Sequence, residues 1–255
     1  MPSRVDDAQH PSSWPASPKL WRKSGDEVSD GAAHEGSLDA DERFAYSACL
    51  IARDIQRTFH GHPQVDRIRL RIAEVLRSYA QRDLELGYTQ GMCFAAAAVC
   101  LRDPGPAADE SFEALVTKLR GLWLPGFPMV LEGIPLLETL LQEMDPDILT
   151  HFQAIDMSFM LLLPKAWLSI FARWLPLQSL LGVVPLLSDE GLSGVLAVSL
   201  VLLLYHRWFL LGCQCLEEGL RYFNSLPSKP APEGFLDMCV RALPKLRERV
   251  EAARR

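Results

Sequence analysis

Gln90 is the first residue of this sequence that could do chemistry, because it is a lone amide beside a long apolar run. It lies in "LGYTQGMCFAAAAVC", residues 86–100, where the side chains that follow it suit a helix buried on every side. An unpaired amide inside such a helix would cost about 1–3 kcal/mol. Gln90 therefore either caps the first N–H groups of that helix or is held at its mouth to meet a group from outside the chain.

Arg57 is the second candidate, and it follows a carboxylate at helical spacing. In "IARDIQRTF", residues 51–59, the side chains of Ile51, Asp54 and Arg57 recur every three residues and therefore share one helix face. Asp54 can hold the stem of the arginine, whose guanidinium would project at the end of the helix. Taken alone, such a pair is more often a solvated surface contact, which contributes roughly 0.2–1 kcal/mol.

Most enzyme signatures are missing from the sequence. It contains no Gly-x-Gly-x-x-Gly, no Gly-x-x-x-x-Gly-Lys-Ser/Thr, no Gly-x-Ser-x-Gly and no His-Glu-x-x-His. His206 lies inside a strongly apolar segment, where a histidine is more often a core residue than a ligand. The cysteines lack zinc-ligand spacing, so we expect free buried thiols and no metal site. They are Cys49, Cys93, Cys100, Cys213, Cys215 and Cys239.

The composition is that of an ordinary globular protein rather than a nucleic-acid binder. The chain has 255 residues, of which 49% are hydrophobic and 23% charged, and its net charge is −6. Because nucleic-acid binders usually carry a basic excess or a basic stripe, no nucleic acid is expected as a partner. The N-terminus lacks the apolar core of a secretory signal, which indicates a cytoplasmic protein.

Apolar residues recur at helical spacing along most of the chain, which predicts an all-α fold. We expect a single large domain of about ten helices without a sheet, with Pro and Gly at most helix boundaries. The predicted helices are 38–59, 65–79, 90–102, 110–122, 129–143, 146–155, 165–174, 177–187, 192–210, 214–224 and 234–253. The predicted organisation is a disordered leader at 1–38, the domain at 39–226, and an amphipathic basic helix at 227–255 that packs on the domain or trails it.

Residues 192–213 leave two interpretations open. The stretch is almost long enough to cross a bilayer, which needs about 20 apolar residues, so a membrane anchor is one of them. His206 and Arg207 interrupt the stretch and leave a shorter apolar run from Leu192 to Tyr205. That length favours a central core helix of a large helical domain. The basic C-terminal helix also has two interpretations: it packs on the domain, or it acts at a membrane surface or with an acidic partner.

The two polar elements together resemble the first two signature motifs of the TBC domain, the fold of Rab GTPase-activating proteins. The first is Ile-x-x-Asp-x-x-Arg-Thr-Phe at residues 51–59, and the second is Gly-Tyr-Thr-Gln-Gly-Met at residues 87–92. The resemblance covers residues 40–225 in outline. It implies an all-α fold of two helical lobes.

The segment "KAWLSIFARWLPLQSLLGVVPLLSDEG", residues 165–191, is similar in outline to the family's third motif. The motif is divergent, because Gly182, Val184 and Pro185 stand where the family has an Arg-x-Trp-Asp core. The change removes an aromatic side chain and both charges, and Pro185 would also remove a helix hydrogen bond. The resemblance therefore leaves a second function open: a scaffold that binds a GTPase or another partner without stimulating hydrolysis.

The resemblance assigns roles to five residues. Arg57 matches an arginine finger that neutralises charge on the transferring phosphoryl group, and Gln90 matches a glutamine finger that orients the attacking water. Asp54 would position Arg57, while Tyr88 and Gly91 would shape the turn that presents Gln90. For Tyr88, packing on the following helix is an equal alternative, and Gly91 either allows a close approach by a partner or starts that helix.

The resemblance also implies the partner and the setting. We expect a GTPase activator that acts on a Rab-type small GTPase in its GTP-bound form and catalyses no independent reaction. GTP and magnesium would belong to the GTPase, so this chain would need no cofactor. Such an activator would regulate vesicle trafficking and would meet endomembranes only peripherally, through the GTPase.

Overall fold

The computed structural model describes residues 39–255, and this part of the chain is built from helices and turns without strands. The α-helices are α1 (Ala40–Arg57), α2 (Pro63–Asp66), α3 (Arg69–Arg82), α4 (Met92–Arg102), α5 (Ala107–Leu119), α6 (Pro128–Met144), α7 (Pro146–Ala154), α8 (Phe159–Leu168), α9 (Leu177–Glu190), α10 (Leu192–Tyr205), α11 (Arg207–Gly212), α12 (Leu216–Ser225) and α13 (Phe235–Ala253). Two 3₁₀ turns lie at Arg120–Leu122 and Leu226–Ser228. The predicted leader, 1–38, lies outside the described residues.

The all-α prediction is confirmed, and two groups of helices can be distinguished by their packing. Helices α1 to α5 pack on one another, and a second group is centred on α10, which contacts α6, α11 and α13. Helix α9 packs against α4 and α5 and also against α10 and α13, so it joins the two groups. The helix that follows Gln90 is therefore held from both sides.

Helix α10 is the centre of the core. It is buried from Leu192 to Leu203, as expected for a helix that is apolar on all sides, and it packs against α6, α9 and α13. None of the helices in residues 39–255 is both long enough and apolar enough to cross a membrane. The predicted continuous helix over 192–210 is wrong, because α10 ends at Tyr205 and His206 separates it from α11.

The segment predicted as a helix over 165–174 differs in the structure. Helix α8 begins earlier, after the N-cap Ser158, includes Pro164 and ends at Leu168, so the predicted boundary before Pro164 is also wrong. The chain then turns with φ of +46° at Ile170 and +67° at Phe171, both buried. Because bulky residues rarely adopt this left-handed conformation, at a cost of roughly 1–2 kcal/mol each, the pattern of residues does not predict the turn.

Pro185 lies inside α9 without ending the helix. Because proline has no N–H, the carbonyl of Leu181 lacks its usual donor four residues ahead, as predicted. The guanidinium of Arg102, at the end of α4, donates to that carbonyl at 2.9 Å. Helix α9 therefore continues through the divergent third motif, with Val184 in the core.

The C-terminal helix α13 packs against α10 and α9. Its apolar face is buried through Phe235, Cys239, Leu243, Leu246 and Val250, while Val240 is exposed. Much of its basic face is engaged by acidic residues of other helices: Arg247 with Glu190, Lys245 and Arg249 with Glu143, and Arg254 with Glu132. Four basic residues of the C-terminal cluster therefore form ion pairs within the protein.

All six cysteines are free thiols. The prediction that they are buried is confirmed for Cys93, Cys100, Cys213 and Cys239 but is wrong for two of them. Cys49 lies on α1 and Cys215 is the N-cap residue of α12, and both are exposed.

Candidate functional site

Helix α1 places Asp54 inside the protein and Arg57 at its surface. The helix begins at a capping box in which the Asp39 side chain accepts from the Glu42 N–H and the Glu42 side chain accepts from the Asp39 N–H. Its buried face includes Ile51, Asp54 and Ile55. Arg57 is the last helical residue, and 53% of its side chain is exposed. A cation in this last turn is also favoured by the helix dipole.

The carboxylate of Asp54 is shared between Arg57 and Tyr88. Its side chain is 1% exposed, with the Arg57 guanidinium 2.6 Å from Oδ1 and the Tyr88 hydroxyl donating to Oδ2 at 3.0 Å. Arg53 approaches Oδ1 less closely, at 3.4 Å. Burial raises the pKa of Tyr88, with smaller contributions from Cys93 and Asp54, so the phenol stays protonated and donates. A buried, fully partnered carboxylate holds its arginine in place far better than a solvated one does.

The end of α1 is fixed by a third group that the sequence pattern did not single out. Thr58 caps the helix, and its hydroxyl donates to the Asp54 carbonyl at 2.8 Å. The guanidinium of Arg69, the first residue of α3, donates to the carbonyls of Ile55 and Thr58. Asp66 holds the same guanidinium through two hydrogen bonds. Arg69 thereby binds the carbonyl end of α1, where Arg57 also lies. The sequence indicates this contact only by an arginine a few residues after the helix end.

The loop that carries Gln90 is anchored at its start by Gly87 and Thr89. Gly87 has a φ of +57°, and a Cβ at this position would lie 2.9 Å from the Ser47 hydroxyl on α1. The Thr89 hydroxyl donates to the carbonyl of Trp123 at 3.1 Å. The Thr89 N–H also lies 3.2 Å from the sulfur of Met92. The backbone on the N-terminal side of Gln90 is therefore bonded to Trp123 and passes close to α1.

Gly91 anchors the other side of the loop against α8. Its φ is +110°, and an added Cβ would lie 2.2 Å from the carbonyl oxygen of Leu168. The same oxygen accepts a hydrogen bond from the indole N–H of Trp123 at 3.0 Å. Glycine is required at position 91 because the backbone passes this close to the chain's own α8. This close approach is to the protein's own α8, whereas the prediction concerned an approach by a partner, and Gly91 also begins α4 as its N-cap residue, which agrees with the alternative.

The side chain of Gln90 is exposed and makes no hydrogen bond to any residue between 39 and 255. Gly91 is the N-cap of α4, and no side chain caps this helix. The interpretation of Gln90 as a helix cap is therefore wrong. An exposed amide has no desolvation cost, which explains how it stands beside the buried residues of α4. Its donor and acceptor remain available to a group from outside.

Tyr88 links the two candidate groups. Arg57 forms an ion pair with Asp54, Asp54 accepts a hydrogen bond from Tyr88, and Gln90 follows Tyr88 by two residues. The Cα atoms of Tyr88 and Gln90 can be at most about 7 Å apart. The structure thus brings Arg57, Asp54 and Tyr88 into contact, and Gln90 and Gly91 follow in the loop that begins at Tyr88.

Asp83 supports the same loop from α3. Its carboxylate accepts from the Leu86 N–H at 3.1 Å, from the Tyr79 hydroxyl at 2.6 Å and from the guanidinium of Arg120. Burial would raise the pKa of Asp83, but these hydrogen bonds outweigh burial and lower the pKa to about 2. Burial also raises the pKa of Tyr79, together with its hydrogen bond to the carboxylate. Nothing in the sequence pattern singled out this network.

The arrangement suits catalysis in trans at a phosphoryl group. An exposed guanidinium held by a buried acid can stabilise negative charge that develops on phosphoryl oxygens, and an exposed amide can hold a water molecule. Within residues 39–255, no three His, Cys, Asp or Glu side chains are placed to hold a metal ion.

A family model described as the Rab-GTPase-TBC domain matches residues 22–211 of the chain. Among curated relatives, the chain is 28% identical over 186 residues to the Rab GTPase-activating protein eat-17 of Caenorhabditis elegans. It is 31% identical over 219 residues to TBC1 domain family member 10A of Mus musculus. These alignments cover 69% and 79% of this chain, but they span only 20% and 42% of the two relatives.

The fold is similar to two solved structures. The Ypt/Rab-GAP domain of Gyp1p superposes with a TM-score of 0.68 at 16% identity, covering 84% of this chain and 77% of that one. The Chlamydomonas flagellar RabGAP TBC domain gives a TM-score of 0.62 at 19% identity, covering 82% and 74%. At these identities the similarity concerns the fold alone.

Proposed function

The chain belongs to the Rab-GTPase-TBC domain family, and we propose from this premise that it accelerates GTP hydrolysis by a Rab GTPase. Arg57 and Gln90 are the two groups it supplies in trans. The observation that carries the proposal is the geometry around Asp54: a buried carboxylate holds Arg57 on one oxygen and Tyr88 on the other, two residues before an unpartnered Gln90. The name of the Caenorhabditis elegans relative, which describes a Rab GTPase activator, supports the same proposal.

Arg57 acts on the charge of the transferring phosphoryl group. Asp54 contacts one side of its guanidinium, and the exposed remainder can donate to phosphoryl oxygens. Because Asp54 and the end of α1 are fixed before the partner arrives, little reorganisation is needed when charge develops. An arginine supplied in this way contributes on the order of 10³–10⁵ in rate.

Gln90 orients the attacking water. Its amide offers both a donor and an acceptor, and neither is used within the described part of the chain. The anchors at Gly87, Thr89 and Gly91 fix the backbone that presents it. Rigid placement matters because a displacement of about 1 Å at such a group can cost about 100-fold in rate.

The GTPase provides the remaining parts of the reaction. GTP and its magnesium ion bind to the GTPase, so this chain binds the GTP-bound GTPase and holds no cofactor of its own. It acts from the cytoplasm and meets an endomembrane peripherally, through the GTPase that resides there.

The test is GTP hydrolysis by a panel of GTP-loaded Rab GTPases with catalytic amounts of this protein. We compare it with the double variant Arg57→Ala, Gln90→Ala and with a matched control, Arg241→Ala, Gln142→Ala, whose residues are exposed on α13 and α6. Acceleration that the control retains and the site variant loses supports the proposal. Equal acceleration by all three proteins contradicts it.

A non-catalytic scaffold is the second candidate, and the divergent third motif favours it. Val184 is buried in the core and Gly182 has open space beside it, so neither position supplies the aromatic or charged side chain of the family's motif. A scaffold would bind GTP-loaded Rab with the same affinity whether or not Arg57 is present and would leave the hydrolysis rate unchanged. Binding without acceleration, in the same panel, would establish this candidate.

A further inference from the structure

Arg173 lies on the turn after α8 and contacts the helix that follows Gln90. Its guanidinium carbon is 5.8 Å from the centroid of the Phe94 ring. Phe94 follows Gln90 by four residues, in the first turn of α4. The Phe94 ring packs edge-on against Phe59, two residues after Arg57, with the centroids 5.2 Å apart. Two ring contacts therefore connect Arg173 to the segments that carry Arg57 and Gln90.

The charge of Arg173 is not neutralised within residues 39–255. Its side chain is exposed and forms no ion pair or hydrogen bond with another described residue. The face of an aromatic ring orients a guanidinium but leaves its N–H groups free at the edge. Arg57, by contrast, is paired with Asp54. Arg173 is thus a cation that the Phe94 ring positions and that no described carboxylate neutralises.

The turn that presents Arg173 is flanked by buried residues. Ile170 and Phe171 both have positive φ and are buried, and the Phe171 N–H donates to the Ala166 carbonyl at 2.6 Å. Trp174, the residue after Arg173, is buried and stacks on Phe223 with ring centroids 4.6 Å apart. Uncommon backbone conformations of this kind persist where the surroundings hold them, and they are enriched at functional positions.

We propose that Arg173 is a recognition residue for a carboxylate on the surface of the bound GTPase. The inference rests on the proposed function and adds a third contact beside Arg57 and Gln90. A planar guanidinium with free N–H groups fits a carboxylate through two parallel hydrogen bonds. No buried acid positions Arg173, whereas Asp54 positions Arg57. Arg173 is connected to the segment of Arg57 only through the rings of Phe94 and Phe59. It therefore serves binding, while Arg57 serves the chemical step.

The experiment compares Arg173→Ala, Arg173→Glu and Arg173→Lys with wild type on the Rab GTPase that wild type accelerates most. The matched control is Arg241→Ala, an exposed arginine of α13 without an ion pair in the described part of the chain. For each protein, kcat and KM of stimulated hydrolysis are measured at 50 and 300 mM salt. Circular dichroism confirms that all variants are folded.

We expect Arg173→Ala to raise KM about 5- to 10-fold with kcat within twofold of wild type, since interface charges act mainly on association. Arg173→Glu should raise KM further, and Arg173→Lys should restore part of the affinity. The increase in KM with salt should be smaller for Arg173→Ala than for wild type, because one screened charge pair is missing.

Three results would overturn the inference. If Arg173→Ala matches Arg241→Ala, the arginine makes no contact with the GTPase. If kcat falls at an unchanged KM, Arg173 acts on the phosphoryl group and not on a carboxylate. If wild type accelerates no Rab GTPase of the panel, the proposed function fails and this inference fails with it, which the wild-type measurement alone reveals.

Discussion

The hydroxyl of Tyr88 donates to Oδ2 of Asp54 at 3.0 Å, and this bond joins the loop before α4 to helix α1, across 34 residues of sequence. Both side chains are buried, and Oδ1 of Asp54 forms an ion pair with the guanidinium of Arg57. Removing one partner of a buried hydrogen bond leaves the other without compensation. The bond therefore links the stability of the domain to the position of the candidate arginine finger.

We expect Tyr88→Phe to lower the free energy of unfolding by about 1–2 kcal/mol, because Oδ2 of Asp54 loses its donor inside the core. Stimulated GTP hydrolysis should fall about 3- to 10-fold, since Arg57 then rests on a less restrained carboxylate. Urea denaturation and the hydrolysis assay measure the two effects. Tyr46→Phe, at an exposed tyrosine of α1, is the control. Identical behaviour of the two variants would contradict a role for the Tyr88 hydroxyl.

Gly91→Ala should destabilise the domain by about 2–5 kcal/mol, the sum of left-handed strain and the displacement of α8. The clash is with the Leu168 carbonyl, 2.2 Å from the added Cβ. Gly105→Ala is the matched control, because Gly105 has a similar φ of +92° but open space around it. That variant should cost only about 1–2 kcal/mol in urea denaturation. Equal costs would show that the contact with α8 does not constrain the loop.

The hydrogen bond from Arg102 to the Leu181 carbonyl predicts a coupling between Arg102 and Pro185. Arg102→Ala should cost about 0.5–1.5 kcal/mol in the wild-type protein. Alanine at position 185 would supply the missing N–H to Leu181, so the cost of Arg102→Ala should shrink in a Pro185→Ala background. A double-mutant cycle by urea denaturation measures the coupling. Additive effects would mean that Arg102 does not compensate for the proline.

The low pKa of Asp83 predicts how stability changes in acid. A carboxyl whose pKa is lowered to about 2 on folding stabilises the protein above its unfolded pKa, and the contribution is lost as the pH falls from about 4 to 2. We expect Asp83→Asn to be less stable than wild type by about 1–2 kcal/mol at pH 7, with the difference disappearing near pH 2. Urea denaturation across this range tests it.

The exposed Asp189 provides the control for that series. Asp189→Asn, on α9, removes a carboxylate that has no ion pair in the part of the chain that the structure describes. Its difference from wild type should stay small at every pH. If the Asp83→Asn difference is also constant between pH 4 and pH 2, the network around Asp83 does not hold its carboxylate ionised.

The sequence predicts what depends on local spacing. Helical periodicity predicts that Asp54 shares a face of α1 with Ile51 and Arg57 and that Arg57 lies at the helix end, and the small and apolar run after Gln90 predicts the buried helix α4. Both predictions succeed because the spacing of residues within one helix determines which face they share.

Contacts between distant segments could not be predicted. The hydrogen bond from Tyr88 to Asp54 and the bonds of Arg69 to the end of α1 depend on how separate helices pack, which spacing does not encode. The prediction of helix at Ile170 and Phe171 is wrong because neither residue type favours the positive φ that the structure shows. In both cases tertiary packing decides the outcome over local preference.

Single-turnover GTP hydrolysis, with the Rab GTPase that the panel identifies, tests the central claim most directly. Arg57→Ala and Gln90→Ala should each reduce the stimulated rate by at least about tenfold, and Arg57→Lys should not restore it, because lysine lacks the planar fork. Circular dichroism should show that all three variants remain folded. Variants that are folded and stimulate hydrolysis as well as wild type would contradict the claim that Arg57 and Gln90 act on the bound nucleotide.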